Sequence, residues 1–147
     1  MKKNKQINQF NSQGNREGYW EYYYDNGQLS SKGHYVNGNQ EGYWEYYYSN
    51  GQLRYKGHYV NGRKEGYWED YYYSNGQLRY KGHYVNGREE GYWEDYYDGG
   101  QLSWKGHFVN GNREGYWEGY YSTGQLWYKG HYVNGEQVRG IEYEVFK

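Results

Sequence analysis

The stretch Gly42-Tyr43-Trp44-Glu45-Tyr46-Tyr47-Tyr48-Ser49-Asn50-Gly51-Gln52-Leu53-Arg54-Tyr55-Lys56-Gly57-His58-Tyr59-Val60-Asn61-Gly62 reads as two strands, each ending in Asn-Gly. It is one of five near copies. Gly-Tyr-Trp-Glu starts at Gly18, Gly42, Gly66, Gly91 and Gly115, and Lys-Gly-His follows at Lys32, Lys56, Lys81, Lys105 and Lys129, a period of 24 or 25 residues. A fixed period of this size means a stack of like supersecondary units, not one globular core around a single active site. The copies can also be compared with one another. Positions identical in all five belong to the architecture, and positions that differ are candidates for function.

Two turns recur in every copy. Asn26-Gly27, Asn50-Gly51, Asn75-Gly76, Gly99-Gly100 and Thr123-Gly124 divide each copy, while Asn37-Gly38, Asn61-Gly62, Asn86-Gly87, Asn110-Gly111 and Asn134-Gly135 join it to the next. Asn-Gly between strand-like runs is a strong hairpin signal, because a type I′ turn needs positive φ at both central residues. The pattern predicts an all-β fold: a single elongated, twisted antiparallel meander of about eleven strands. A two-residue turn at Asn50-Gly51 sets Tyr48 opposite Leu53, Glu45 opposite Lys56, Trp44 opposite Gly57 and Tyr43 opposite His58. The third copy is one residue longer, and a three-residue loop Ser74-Asn75-Gly76 restores Glu69 with Lys81. The turn at Asn61-Gly62 sets His58 opposite Glu65, Gly57 opposite Gly66, Tyr55 opposite Trp68 and Arg54 opposite Glu69.

Alternation then separates two faces. One carries Trp44, Tyr46, Tyr48, Leu53, Tyr55 and Tyr59. The other carries Tyr43, Glu45, Tyr47, Lys56, His58 and Glu65. Composition agrees with an aromatic wall: 26 Tyr and 7 Trp stand against few aliphatic residues. Rings must supply most of the burial, each keeping a polar edge in contact with water. Each Trp is expected beside a cross-strand Gly that leaves room for the indole, and adjoining Gly-Gly pairs such as Gly57/Gly66 are expected to let the sheet bend.

Residues 1–13 are polar, with Ile7 and Phe10 as anchors, and read as a partly disordered lead-in that ends in a capping strand. Residues 14–135 hold the five repeats. In residues 136–147, Ile141, Tyr143 and Val145 alternate with Glu142 and Glu144, which suits a capping strand. Acids and bases are spread evenly and the net charge is -1, so no basic stripe is present for phosphate and nucleic acid is not expected as a partner. Cysteine is absent, which removes disulfides and thiolate metal sites. With no apolar leader or membrane-length run, the expected location is the cytoplasm.

The pattern Gly-x-Trp-x-x-Tyr-Tyr, then Asn-Gly-x-Leu, then Gly-x-Tyr-x-Asn-Gly, resembles the MORN repeat over Gly18 to Gly135. It is most similar to the bacterial variant found in antitoxin-like MORN-repeat proteins. The resemblance implies a β-hairpin array serving as a scaffold or interaction module, with phospholipid binding and membrane-adjacent assembly among the family's associations. It also implies that catalysis, where the family has it, sits in separate domains.

The five histidines do not suggest a metal site. Successive ones fall two strands apart, roughly 10 Å, too far to share an ion. Each is expected between a Tyr and an acid such as Glu41, Glu65, Glu90 or Glu114, with modest pH sensitivity. The Glu–Lys pairs repeat without a unique cleft and act as register pins. No enzyme, cofactor or metal is expected. Variation between copies is more informative. The aromatic face carries the opposed pairs Tyr22/Ser31, Tyr46/Tyr55, Asp70/Tyr80, Asp95/Trp104 and Gly119/Tyr128, and the other face is expected to vary at Ser30, Arg54, Arg79, Ser103 and Trp127. The expected partner-binding residues are Tyr22, Tyr46, Tyr55, Asp70, Tyr80, Asp95, Trp104, Trp127 and Tyr128. They point to a non-enzymatic scaffold that binds a protein through a Tyr/Trp-rich face or an exposed edge strand. A glycan or nucleotide-like ligand on the same face is the alternative, and a phospholipid surface is a third reading that the balanced charge disfavours. The end strands also offer a route to a second copy.

Overall fold

The computed structural model describes residues 6–142. They form one open antiparallel sheet of twelve strands in sequence order. The strands are β1 (Gln9–Phe10), β2 (Arg16–Tyr23), β3 (Leu29–Val36), β4 (Asn39–Tyr47), β5 (Leu53–Val60) and β6 (Arg63–Tyr71), followed by β7 (Leu78–Val85), β8 (Arg88–Tyr96), β9 (Leu102–Val109), β10 (Asn112–Tyr120), β11 (Leu126–Val133) and β12 (Glu136–Glu142). The expected meander is present, with β1 as a short extra strand at its start. Tyr143, Glu144 and Val145 of the expected capping strand, and the basic start at residues 1–5, lie outside the described residues.

The turns between copies are the predicted ones: Asn61 has φ 51° and Gly62 φ 79°. The turns within copies are not. Only the glycine has positive φ there, and Asn50 uses its side-chain Oδ1 to accept the Gln52 amide at 3.0 Å. The Tyr48 amide donates to the Gln52 carbonyl and the Gly51 amide to the Tyr48 carbonyl, which closes a three-residue loop. Tyr46 therefore pairs with Tyr55, but Leu53 pairs with Tyr47 and not with Tyr48 as expected, leaving Arg54 unpaired in a bulge. In the third copy the loop grows to Tyr73-Ser74-Asn75-Gly76, closed by Tyr72 and Gln77, so Tyr73 is the inserted residue. Beyond the loop Glu69 meets Lys81 and Trp68 meets Gly82, as the repeat spacing requires.

A larger correction falls between copies. His58 pairs with Glu65, but the next partners are Lys56 with Glu69 and Tyr55 with Asp70. The expected pairs Tyr55/Trp68, Arg54/Glu69 and Gly57/Gly66 do not form. Gly66 takes φ 71°, a conformation open to glycine, and throws two extra residues into β6. The displaced Trp68 then folds back onto the preceding strand. A Cβ on Gly57 would stand 2.2 Å from the Trp68 indole, and the same holds for Gly33 under Trp44, Gly82 under Trp93 and Gly106 under Trp117. Trp44 is the backbone partner of Gly57, as expected, but the ring lying on Gly57 belongs to Trp68. The Trp68 Nε1–H donates to the His58 carbonyl at 3.2 Å, and Trp44, Trp93 and Trp117 make the matching bond to His34, His83 and His107.

Trp44 is 0% exposed and Trp68 2%, although the sheet is a single layer. Each is covered on one side by the glycine strand beneath it and on the other by side chains of its own, inner face. Tyr35, Tyr59 and Tyr84 stand edge-on between successive indoles and join them into one cluster. Tyrosines at the loops tie neighbouring copies together: the hydroxyls of Tyr24, Tyr48, Tyr72 and Tyr97 donate to the carbonyls of Tyr47, Tyr71, Tyr96 and Tyr120. At the start of the array, Gln9 supplies the carbonyl for the Trp20 indole, and Phe10 meets its ring edge-on at 5.1 Å.

The two glycines of a copy fail in different ways when replaced. Gly57→Ala should cost about 3 kcal/mol or more, because the new methyl displaces a packed indole. Gly66→Ala has open space but positive φ, and should cost about 1–2 kcal/mol. Urea unfolding of both variants, alone and in a Trp68→Ala background, checks this: the Trp68→Ala change should remove most of the Gly57 penalty and little of the Gly66 penalty.

Candidate functional site

The face opposite the Trp row is regular. Lys32, Lys56, Lys81 and Lys105 reach the Glu of the following strand, Glu45, Glu69, Glu94 and Glu118, at 3.1–3.7 Å. Lys129 instead bridges its own hairpin partner, Glu118, at 3.3 Å. The backbone register expected for Glu–Lys is thus present, but most ammonium groups turn to the next copy. The same glutamates accept a hydroxyl from the tyrosine two residues on, as Glu45 does from Tyr47 and Glu94 from Tyr96. Burial alone would push the Glu45 carboxyl up, yet the Tyr47 hydroxyl and Lys32 together hold it below the ordinary value.

Each histidine packs on a tyrosine ring, as His58 does on Tyr43 at 5.3 Å. The expected acid neighbours are present only as backbone partners. Glu41, Glu65, Glu90 and Glu114 instead accept the backbone amides of Asn61, Asn86, Asn110 and Asn134 at 2.8 Å, where they brace the next turn.

The inner face carries the variation. Tyr22, Ser31, Tyr46, Tyr55 and Asp70 are successive backbone partners across β2 to β6, and Tyr80, Asp95, Trp104, Gly119 and Tyr128 continue the row to β11. Tyr46 stacks on Tyr55 at 4.2 Å, and Tyr22 meets the Tyr35 hydroxyl at 3.1 Å. Asp70 and Tyr128 are buried, whereas Asp95 lies at the open surface.

Of the residues expected to vary on the opposite face, Arg54, Arg79 and Trp127 make their contacts on this one. Trp127 meets Trp104 edge-on at 5.3 Å, Arg54 lies 5.4 Å over Tyr55, and Arg79 reaches Asp70 at 3.8 Å. Arg54 and its counterparts occupy the bulge, where two successive side chains turn toward one side, so simple alternation fails there.

One further variable position escaped notice: Arg16, Gln40, Lys64, Glu89 and Arg113, which precede the invariant Glu-Gly. Their identity changes in every copy but the last, which repeats the Arg of the first, and that variation was the signal available. Lys64 stands over three rings, at 4.4 Å from Trp68, 4.8 Å from Tyr84 and 5.6 Å from Tyr55. Arg113 repeats the arrangement over Trp117, Trp104 and Tyr132, and Arg16 lies over Trp20 and Tyr35. The Gln40 amide donates to the Tyr46 hydroxyl at 2.6 Å. Burial pushes the Lys64 ammonium down against the pull of Asp70 and Glu89. Burial pushes the Asp70 carboxyl up against the pull of Arg79, the Tyr80 hydroxyl, Arg54 and Lys64, and among the described residues its Oδ1 has no hydrogen-bond partner.

With a folded value above its unfolded one, the ionised Asp70 costs stability at neutral pH, and that cost disappears as pH falls through the folded value. Asp70→Asn should therefore raise the melting temperature at pH 7, and the gain should shrink toward zero below pH 4. Thermal unfolding over that range measures it.

No curated protein matches this chain. A family model described as a MORN repeat variant matches residues 16–37, 40–61, 64–86 and 113–134, more than half of the chain. The remaining copy, β8 and β9, keeps the same register and the same indole-on-glycine packing. Four matched copies, each built on that packing, place the chain in the MORN-repeat family.

Proposed function

We propose that the chain is a non-enzymatic scaffold whose inner Tyr/Trp face holds a polypeptide partner. The carrying observation is where the copies differ. Positions 16/40/64/89/113, 22/46/70/95/119, 30/54/79/103/127 and 31/55/80/104/128 all come to the inner face, while the outer Tyr, His, Lys and Glu ladder is the same in every copy. The copies also differ at the turns and at Asn39, Arg63, Arg88 and Asn112 beside them, but along the body of the sheet the variation is concentrated on the inner face, where architecture alone has no need for it. Tyr, Trp and Arg together make rigid, amphipathic anchors of the kind enriched at interface hot spots. Asp95, Glu89 and Arg113 border an inner cleft of about 230 Å³ with aromatic walls, so the face has relief as well as chemistry. An antitoxin-like or immunity role, which the family resemblance implies, would require no more of the chain than occupying its partner in this way.

Peptides selected from a random library on the full chain provide the test. Trp104→Ala with Trp127→Ala should weaken their binding about 30-fold, the loss expected of hot-spot truncation at about 2 kcal/mol. Tyr43→Ala with Tyr92→Ala, on the outer face, should leave binding within about twofold. Loss through the outer pair with the inner pair silent would overturn the proposal; near-ultraviolet circular dichroism verifies that both variants are folded.

A further inference from the structure

On the inner face the third and fourth copies share their acid, Asp70 and Asp95, and an aromatic surround, while the charged positions beside it change in one direction. Lys64 of the third copy lies over Trp68, Tyr84 and Tyr55. The corresponding rings of the fourth are Trp93, Phe108 and Tyr80, and all three line the cleft between β7 and β10. Asp70 has its counterpart in Asp95. In the third copy Asp70 has Arg79 at 3.8 Å, but the residue in that place in the fourth is Ser103. Where Lys64 would fall, the fourth copy has Glu89. The box keeps its aromatic walls, loses both of its own cations and gains a carboxylate. Across these three positions the charge changes from +1 to -2.

Other copies show what the box holds. Lys64, Arg113 and Arg16 each place a cationic head over the rings of their own copy, and Gln40 places an amide beside Tyr46. Only the Glu89 copy among them offers no donor of its own. Among the described residues, neither Glu89 nor Asp95 is bridged by a cation. From a distance Lys64 acts on Glu89, and Arg113 and Arg79 act on Asp95; Arg113, which borders the cleft, is committed to Trp117 at 4.4 Å, and Arg79 to Asp70 at 3.8 Å.

We propose that the cleft walled by Tyr80, Trp93 and Phe108 and edged by Glu89 and Asp95 receives a lysine or arginine side chain of the bound polypeptide. The incoming cation takes the place that Lys64 takes in the neighbouring copy. Its face-on contact with the indole supplies attraction, and two carboxylates replace part of its hydration. This rests on the inner face being the polypeptide-binding surface, and it names the partner chemistry: a basic residue set against an aromatic groove. The third copy, closed by its own lysine, then fixes where along the array that residue docks.

The indole Nε1–H resonances of the full chain read the site directly, with Trp93 assigned through Trp93→Phe. The probes are the blocked tripeptides Gly-Lys-Gly and Gly-norleucine-Gly, which differ in charge but little in length. The lysine peptide should shift Trp93 selectively, with at least about tenfold tighter binding than the norleucine peptide. Glu89→Lys, which copies the third repeat and should fold, should abolish the response. Lys64→Glu with Arg79→Ser, which gives the third copy the residues of the fourth, should make Trp68 respond. A silent Trp93, an equal response to norleucine, or a response surviving Glu89→Lys overturns the cation box. If library-selected peptides still require Trp104 and Trp127, that failure leaves the groove reading standing. If Trp93 responds but no binder depends on the groove, the polypeptide reading falls and the box remains as a site for small cations.

Discussion

From the second copy on, each copy of this array seats the indole of Trp68 or its equivalent on a glycine of the preceding strand, and the packing of the stack depends on that contact. Two conditions must be met together. The glycine underneath must lack a Cβ, since one would stand 2.2 Å from the ring. The strand carrying the Trp must gain two residues, which the positive φ of Gly66 permits. The carbonyl of His58, beside the shift in register, accepts the indole Nε1–H. The bulge displaces the Trp, and the glycine receives its ring. This interlock lets a single-layer sheet bury rings as completely as a two-layer domain does.

The rest of the architecture follows from repetition of that contact. Tyr59 and its counterparts fill the space between consecutive indoles, and loop tyrosines donate to carbonyls in the next copy. Because every copy covers its predecessor, the first requires a substitute partner. Gln9 and Phe10 provide it, and Asn8 uses its side chain to bond both backbone groups of Glu21, which ends the ladder without another full strand. At the far end no indole follows Gly130, and the Tyr128 ring turns back over it instead. The two ends thus solve the same problem with different residues, as expected for terminal units of a stack.

Much of this was legible in the sequence, and the failures have a common cause. The Asn-Gly joints between copies, the Glu–Lys and Trp–Gly backbone register within hairpins, and the separation into two faces all follow from turn chemistry and alternation. Alternation assumes one residue against one. At Gly66 two residues are added, and at Arg54 one is left over, so pairs counted across those points slipped: Tyr55 faces Asp70, not Trp68. The motif contained the clue, since an invariant glycine ahead of Tyr-Trp has no role in a straight strand. The same counting placed Arg54, Arg79 and Trp127 on the wrong face and passed over Lys64 and Glu89. A bulged residue does not reveal its direction from sequence parity.

Once the bulges are in place, the outer Tyr, Glu, Lys and His ladder is invariant and most of the variation along the strands falls on the inner face, which bears on how such an array acquires specificity. The outer ladder cannot drift copy by copy. Its glutamates serve two neighbours, accepting a tyrosine hydroxyl within the strand and a lysine from the strand before. A change in one copy leaves a partner unmatched in the next. Inner-face positions beside the Trp row are freer, because the rings tolerate a cation, an amide or a carboxylate nearby while the indole-on-glycine contact is untouched. Lys64 and Glu89 occupy equivalent places above equivalent rings, and the backbone register around them is the same. Charge on the inner face can therefore be rewritten one copy at a time without disturbing the stack, so a sequence of chemically distinct boxes can be laid along a uniform scaffold.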